Sequence, residues 1–142
     1  MGPALYETDE HRALREQVRR FAREHIAPNA HAWDEAEEFP RDLYARAAEA
    51  GLLGIGYPEE LGGGGGNITH VLAATEEFIL EGKNVGVTVG LGSHGIALPP
   101  IVRAGTDEQK RRFIPPVLRG EKIAALAITE PGGGSDVASL AT

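Results

Sequence analysis

A chain of 142 residues, 42% hydrophobic and 25% charged, is long enough for one domain with a real core and too short for two. Its net charge of −7 disfavours nucleic acid as a partner and obliges any polyanionic ligand to find a local basic patch. The lack of cysteine excludes disulfides and thiolate metal sites, and no apolar run approaches the ~20 residues that a membrane span needs.

Met1-Gly2-Pro3-Ala4-Leu5 lacks the basic-then-apolar order of a secretory leader, and Tyr6 stands where a myristoylated Gly2 would need Ser or Thr. A reducing, cytoplasmic location is expected.

The first periodic segment runs from Asp9 to Ile26. Leu14, Val18, Phe21, Ala22 and Ile26 recur at helical spacing, Thr8 is a fitting N-cap and Pro28 a stop. Arg12, Arg15, Arg19 and Arg23 fall mostly off that stripe and read as a solvated face. Residues 29–38 read as a short helix that Trp33 anchors in the core. After Phe39-Pro40, residues 41–50 form a third helix, with Leu43, Ala47 and Ala50 on one side and Gly51 as its stop. Residues 52–61 make an irregular apolar strap. The run Gly62 to Gly66 reads as a flexible surface turn, because the Lys-Ser/Thr pair of a phosphate-binding loop does not follow it.

Asn67 caps a fourth helix, whose buried stripe is Ile68, Val71, Leu72, Thr75, Phe78 and Ile79 and whose stop is Gly82. Beyond Asn84, Val85, Val87, Val89 and Leu91 alternate with small residues, which is a strand pattern. The same small residues also allow a closely packed helix, so pattern alone leaves the two readings balanced. Pro99-Pro100 ends this segment. Thr106 and Gln109 have the spacing of a capping box for a short polar helix through Phe113, and Pro115-Pro116 turns the chain.

Ile123 to Ile128 is an apolar run that reads as a short buried strand. Pro131 breaks it, and Gly132-Gly133-Gly134 frees the backbone to approach a ligand closely. Successive N–H groups in such a turn can converge on an anion, and Ser135 adds a hydroxyl.

Thr129-Glu130-Pro131-Gly132-Gly133-Gly134-Ser135-Asp136, led by an apolar strand, resembles the T-E-P-x-x-G-S-D signature of the acyl-CoA dehydrogenases. Val18-Arg19-Arg20-Phe21, Ala50-Gly51-Leu52-Leu53 and Pro58-Glu59-Glu60-Leu61-Gly62-Gly63 are similar to the N-terminal half of that family, and residues 104–110 to its approach to the signature. The resemblance implies an all-α, up-and-down helical bundle over residues 1–121. A short C-terminal β-strand and Gly-rich turn over 122–142 would begin a middle β-domain. It also selects a buried helix for the ambiguous segment after Asn84.

Family members oxidise an acyl-CoA to the trans-2-enoyl-CoA, a carboxylate taking the α-proton while the β-hydride passes to N5 of FAD. By position, the resemblance sets Leu126, Ile128 and Thr129 against the flavin and Gly134 and Ser135 at its pyrophosphate. Ser135 would also border the pantetheine arm. Thr88 and Gly92 would set the depth of the acyl pocket, and their small size implies longer or branched chains. No catalytic residue is expected here: Glu130 is structural in the family, whose base lies in a C-terminal domain that this chain lacks. The chain is thus expected to be a truncated dehydrogenase, inactive alone and holding FAD weakly or not at all. Acyl-CoA as substrate, electron-transfer flavoprotein as acceptor and a homo-oligomer at full length are implied as partners.

Alternatives are an acyl-CoA oxidase fragment and a non-enzymatic helical interaction domain. A serine hydrolase built on Ser135, His94 and Asp136 lacks the second glycine of a nucleophile elbow. No metal site is expected, since His11, His25, His31, His70 and His94 show no ligand spacing and read as surface or satisfied core residues.

Overall fold

A computed structural model describes residues 7–141. The fold is all-α, as expected, with seven α-helices among the described residues: α1 (Asp9–Phe21), α2 (Ala30–Glu35), α3 (Asp42–Glu49), α4 (Ile68–Gly82), α5 (Val85–Gly92), α6 (His94–Ala104) and α7 (Asp107–Leu118).

Three of these helices begin with the same device. Thr8, Asn67 and Thr106 accept from the first turn, while His11, His70 and Gln109 at the third helical position reach back to the cap nitrogen. The first helix does not stop at Pro28. It widens into a π-turn over Ala22–Ile26, in which Ala27 donates to the Ala22 carbonyl, and tightens through Ala27–Asn29 before α2. Pro28 cannot donate, so the neighbouring turns rearrange around the lost bond rather than ending the helical path.

The arginine face of α1 is not simply solvated. Arg15 and Arg19 both reach Glu77 of α4, Arg15 also reaches Glu76, and Arg23 reaches Glu81. His11 meets Thr69 at 2.8 Å with the same sequence separation of 58 that joins Arg19 to Glu77 and Arg23 to Glu81. A constant separation means that α1 and α4 run parallel. This arrangement corrects the expected stripe on α4. Ala73, Ala74, Glu77, Phe78 and Gly82 are the buried positions, whereas Ile68, Leu72 and Ile79 are exposed. The face toward α1 is small and ionic because arginines, not aliphatic side chains, fill the seam. Gly82 lies inside α4 and not after it: a Cβ there would sit 3.1 Å from Ile26, and Lys83 (φ 55°) makes the left-handed stop.

The main core joins α1, α3, α4 and α5 through Val18, Phe21, Leu43, Ala47, Phe78 and Leu91. Trp33 packs against it half-buried, near Phe39, so its anchoring is partial. The segment after Asn84 is helical, as the resemblance required. Only Val87 and Leu91 are buried, however, while Val85 and Val89 face out. The rest of the chain closes tightly on this helix at Gly90: a Cβ there would lie 2.6 Å from the Phe39 ring, and the Tyr44 hydroxyl donates to the Gly90 carbonyl at 3.0 Å.

Neither proline pair ends its helix. Pro99-Pro100 lies inside α6, and Pro115-Pro116 inside α7, which runs five residues beyond Phe113 to Leu118. Leu98 of α6 and Ile114, Val117 and Leu118 of α7 fill a second core with Tyr57 and Leu61, and that burial outweighs the lost ladder bonds. Contrary to the expectation that no apolar run is long enough for a membrane span, Val85–Ala104 taken together is long and apolar enough to cross a bilayer by length and composition. In this fold the helical path breaks at Ser93 and buries Val87, Leu91 and Leu98 in the two cores.

The glycine run is a built part of the fold rather than a flexible turn. Gly56 donates to Gly65 at 2.7 Å, Gly64 to Gly54 at 2.9 Å and Gly65 to Tyr57 at 2.9 Å, so the run folds back along the strap. A Cβ at Gly63 would lie 2.2 Å from the Tyr57 carbonyl oxygen.

Candidate functional site

The expected C-terminal strand does not form. Residues 123–128 are irregular, and Ile123, Leu126 and Ile128 are exposed rather than buried. A strand needs a neighbour to take its backbone bonds, and the described residues offer only the isolated bridge between Glu130 and Gly133. Ala124 is the one anchored position: its carbonyl accepts from the Ser93 hydroxyl at 3.1 Å, at the break between α5 and α6. Sequence reading gave Ser93 no role, its only signal being its place among small residues beside Gly92.

The signature itself folds into a closed turn. Glu130 donates to Gly133 at 2.8 Å and Gly133 returns to Glu130 at 3.1 Å, which leaves Gly134 and Ser135 outside the pair. Thr129 and Gly134 are brought together, with 3.3 Å between Thr129 Cγ2 and the position of a Cβ at Gly134. Nothing lies within 4 Å of a Cβ placed at Gly132 or Gly133. Leu126, Ile128, Thr129 and Ser135 are exposed and Gly134 half-buried. The turn therefore has an open face, with backbone and a hydroxyl available to a planar or anionic group. Glu130 is engaged within the segment, its carboxylate accepting from the Ala141 N–H at 3.1 Å.

Thr88 and Gly92 lie elsewhere, on the wall of a cavity of about 980 Å³. The strap at Leu53 and Tyr57, Phe78 of α4 and Leu91 of α5 supply much of its apolar wall. The Thr88 hydroxyl donates to the Asn84 carbonyl at 3.2 Å, and a Cβ at Gly92 would meet nothing within 4 Å. This size is within the range of small-molecule sites.

Two polar side chains hold the strap to the helix. The Tyr57 hydroxyl donates to the His94 carbonyl at 3.1 Å, and burial pushes its pKa up to about 12. The His94 ring nitrogens lie 2.9 Å from the Leu91 and Leu53 carbonyl oxygens. A neutral imidazole donates to only one of them, and donation to both requires the cation. Burial lowers the His94 pKa, and the two carbonyl contacts offset that only in part. The neutral ring is therefore favoured, with one bond at a time. Arg103 is the cationic side chain on the wall, which carries no carboxylate among the described residues. The cavity can thus hold and orient an apolar chain but presents no carboxylate among the described residues to take a proton.

Residues 8–121 match the family model described as acyl-CoA dehydrogenase, N-terminal domain. The chain therefore belongs to the acyl-CoA dehydrogenase family. It is 36% identical to an acyl-CoA dehydrogenase of Bacillus subtilis over 97% of its own length and 36% of that protein's. The crystal structure of an acyl-CoA dehydrogenase from Geobacillus kaustophilus superposes with a TM-score of 0.84 at 32% identity, covering 97% of this chain and 36% of that one. An acyl-CoA dehydrogenase from Bacillus anthracis complexed with FAD matches at a TM-score of 0.80 and 33% identity, covering 95% of this chain and 23% of that one. The chain thus spans about a third of the length of the curated relatives that it matches.

Proposed function

We propose that the chain is the substrate-side helical part of an FAD-dependent acyl-CoA dehydrogenase, which oxidises an acyl-CoA to the trans-2-enoyl-CoA. The observation that carries this reading is the apolar cavity with Thr88 and Gly92 on its wall, in a chain whose residues 8–121 match the family's N-terminal domain. Residues 1–121 are read as that helical domain and 122–142 as the start of the next. In this reading the acyl chain enters the cavity, and the open backbone at Gly92 leaves depth for longer or branched chains. FAD, when bound, supplies the hydride-accepting chemistry.

The residues fit such a group. Leu126, Ile128 and Thr129 offer exposed apolar and hydroxyl surface to a flat ring, and Gly134 and Ser135 lie outside the bonded pair of the turn, where a diphosphate can meet backbone and hydroxyl. Ser135 would also border the pantetheine arm. With no carboxylate among the described residues of the cavity wall, this chain positions the substrate, and the group that takes the α-proton comes from elsewhere in the assembled enzyme. Electron-transfer flavoprotein as acceptor, a homo-oligomeric full-length enzyme and a cytoplasmic location belong to the same proposal.

The test is a flavin absorbance spectrum of a polypeptide that joins this chain to the rest of its family architecture, followed during addition of acyl-CoAs. Bleaching of a bound yellow flavin by acyl-CoA is expected. A colourless protein, or a flavin that no acyl-CoA bleaches, would defeat the reading.

A further inference from the structure

The cavity wall formed by α6 carries a backbone acceptor that lacks both of its usual helical donors. In a helix the carbonyl of residue i takes the N–H of residue i+4, or of i+3 where the turn tightens. For Ile96 those positions are Pro100 and Pro99, and neither nitrogen bears a hydrogen. Outside the helix itself, no turn or side-chain donor of the described residues reaches this oxygen. Gly92, Gly95, Ile96, Pro99, Pro100 and Arg103 recur three and four apart and all line the cavity, so they form one stripe of its wall. The Ile96 carbonyl points along the helix axis toward the two proline rings on that stripe. A Cβ at Gly95 or Gly92 would meet nothing within 4 Å, so a ligand can lie against bare backbone there.

We propose that the Ile96 carbonyl makes this cavity selective for acyl chains that carry a hydroxyl over unsubstituted chains of the same length. The inference rests on the reading of the cavity as an acyl site. A plain hydrocarbon chain strips water from the oxygen and leaves an acceptor unpaired, whereas a hydroxyl at that depth replaces the lost bond. Discrimination therefore comes from both ligands, a gain for one and a loss for the other.

Proline is what keeps the acceptor open, so alanine closes it. Pro100→Ala restores an N–H to the Ile96 carbonyl and raises helix propensity, so the fold is retained; a circular dichroism melt checks this. Pro116→Ala restores a donor to Arg112 in α7, which is not on the cavity wall, and serves as the control. Calorimetric titration would compare dodecanoyl-CoA with its mid-chain and terminal hydroxy isomers on the joined polypeptide described above and on both variants of it. At least one isomer is expected to bind about two- to ten-fold more tightly than the parent, a preference that Pro100→Ala removes and Pro116→Ala keeps. Equal or weaker binding of every isomer, or a preference that survives in Pro100→Ala, would overturn the proposal while leaving the acyl site standing. Absence of binding by dodecanoyl-CoA as well would remove the acyl site and this proposal together.

Discussion

Arg19 of α1 holds the Glu77 carboxylate of α4 with two nitrogens, Nη2 at 2.9 Å from Oε1 and Nε at 3.0 Å from Oε2. The Glu77 side chain is only 5% exposed, and Arg15 adds a third contact at 3.1 Å. A parallel helix pair places both N-terminal dipole ends side by side, an arrangement with no electrostatic benefit of its own. The ionic seam is what offsets it.

Glu77→Gln keeps the shape of the side chain and removes its charge, leaving two arginines short of a partner. Breaking a buried pair costs about 3–5 kcal/mol, and the partial exposure of Arg19 reduces this to about 1–3 kcal/mol. Urea unfolding should report that loss. Glu81→Gln, whose partner Arg23 is well exposed, should leave the midpoint unchanged. Equal effects of the two changes would show that the seam contributes nothing special.

The glycine run separates two substitutions of identical chemistry. At Gly63 a Cβ meets the Tyr57 carbonyl oxygen at 2.2 Å, whereas at Gly64 its nearest neighbour is 3.8 Å away. Gly63→Ala should therefore cost about 1–3 kcal/mol. Gly64→Ala should be neutral or slightly stabilising, because it reduces unfolded-state freedom. Thermal melts of both variants decide the matter, and a harmless Gly63→Ala would mean that the run is loose after all.

His94 sets a pH dependence. Burial holds its folded pKa below the ordinary value of 6.5, so between the two values the unfolded chain binds more protons and stability rises with pH. The contribution is fully present above about pH 6.5 and is lost as pH falls through the lower folded value. His94→Gln, which still offers one donor, should flatten the melting temperature between pH 7.5 and pH 5 relative to the natural chain. An unchanged slope would show that the ring does not titrate in that window.

Gly92 should govern chain length without governing stability. Its missing side chain faces open cavity, so Gly92→Ala in α5 should stabilise the helix by about 0.5–1 kcal/mol. Gly92→Phe should fold normally and shift acyl preference toward shorter chains, about ten-fold or more against dodecanoyl-CoA. Competition between butyryl-CoA and dodecanoyl-CoA for the variant measures that shift. An unshifted ratio would remove Gly92 from the acyl wall.

The helices, the caps at Thr8, Asn67 and Thr106, and the signature turn were legible in the sequence because each rests on bonds or periodicity within a few residues. Thr88 and Gly92 were placed only through family resemblance, and the cavity beside them was not legible from spacing. Helix α5 was undecidable on pattern, since Val85 to Leu91 alternates as a strand would, and the close fit of Phe39 against Gly90 from another part of the chain is a contact that pattern does not show. The proline pairs misled for the same reason. A local rule charges them for two lost bonds, and only the assembled core around Leu98 and Ile114 outweighs that charge. The run Ile123 to Ile128 erred in the other direction, because a strand is a property of two neighbours and the sequence shows only one. By itself, then, the sequence determined the family, the helical class and the exposed turn, all encoded in short-range order. Tertiary structure alone decided which arginines are buried in a seam, which glycines are closed against carbonyls and which open on the cavity, because those outcomes depend on what packs against each residue from far along the chain.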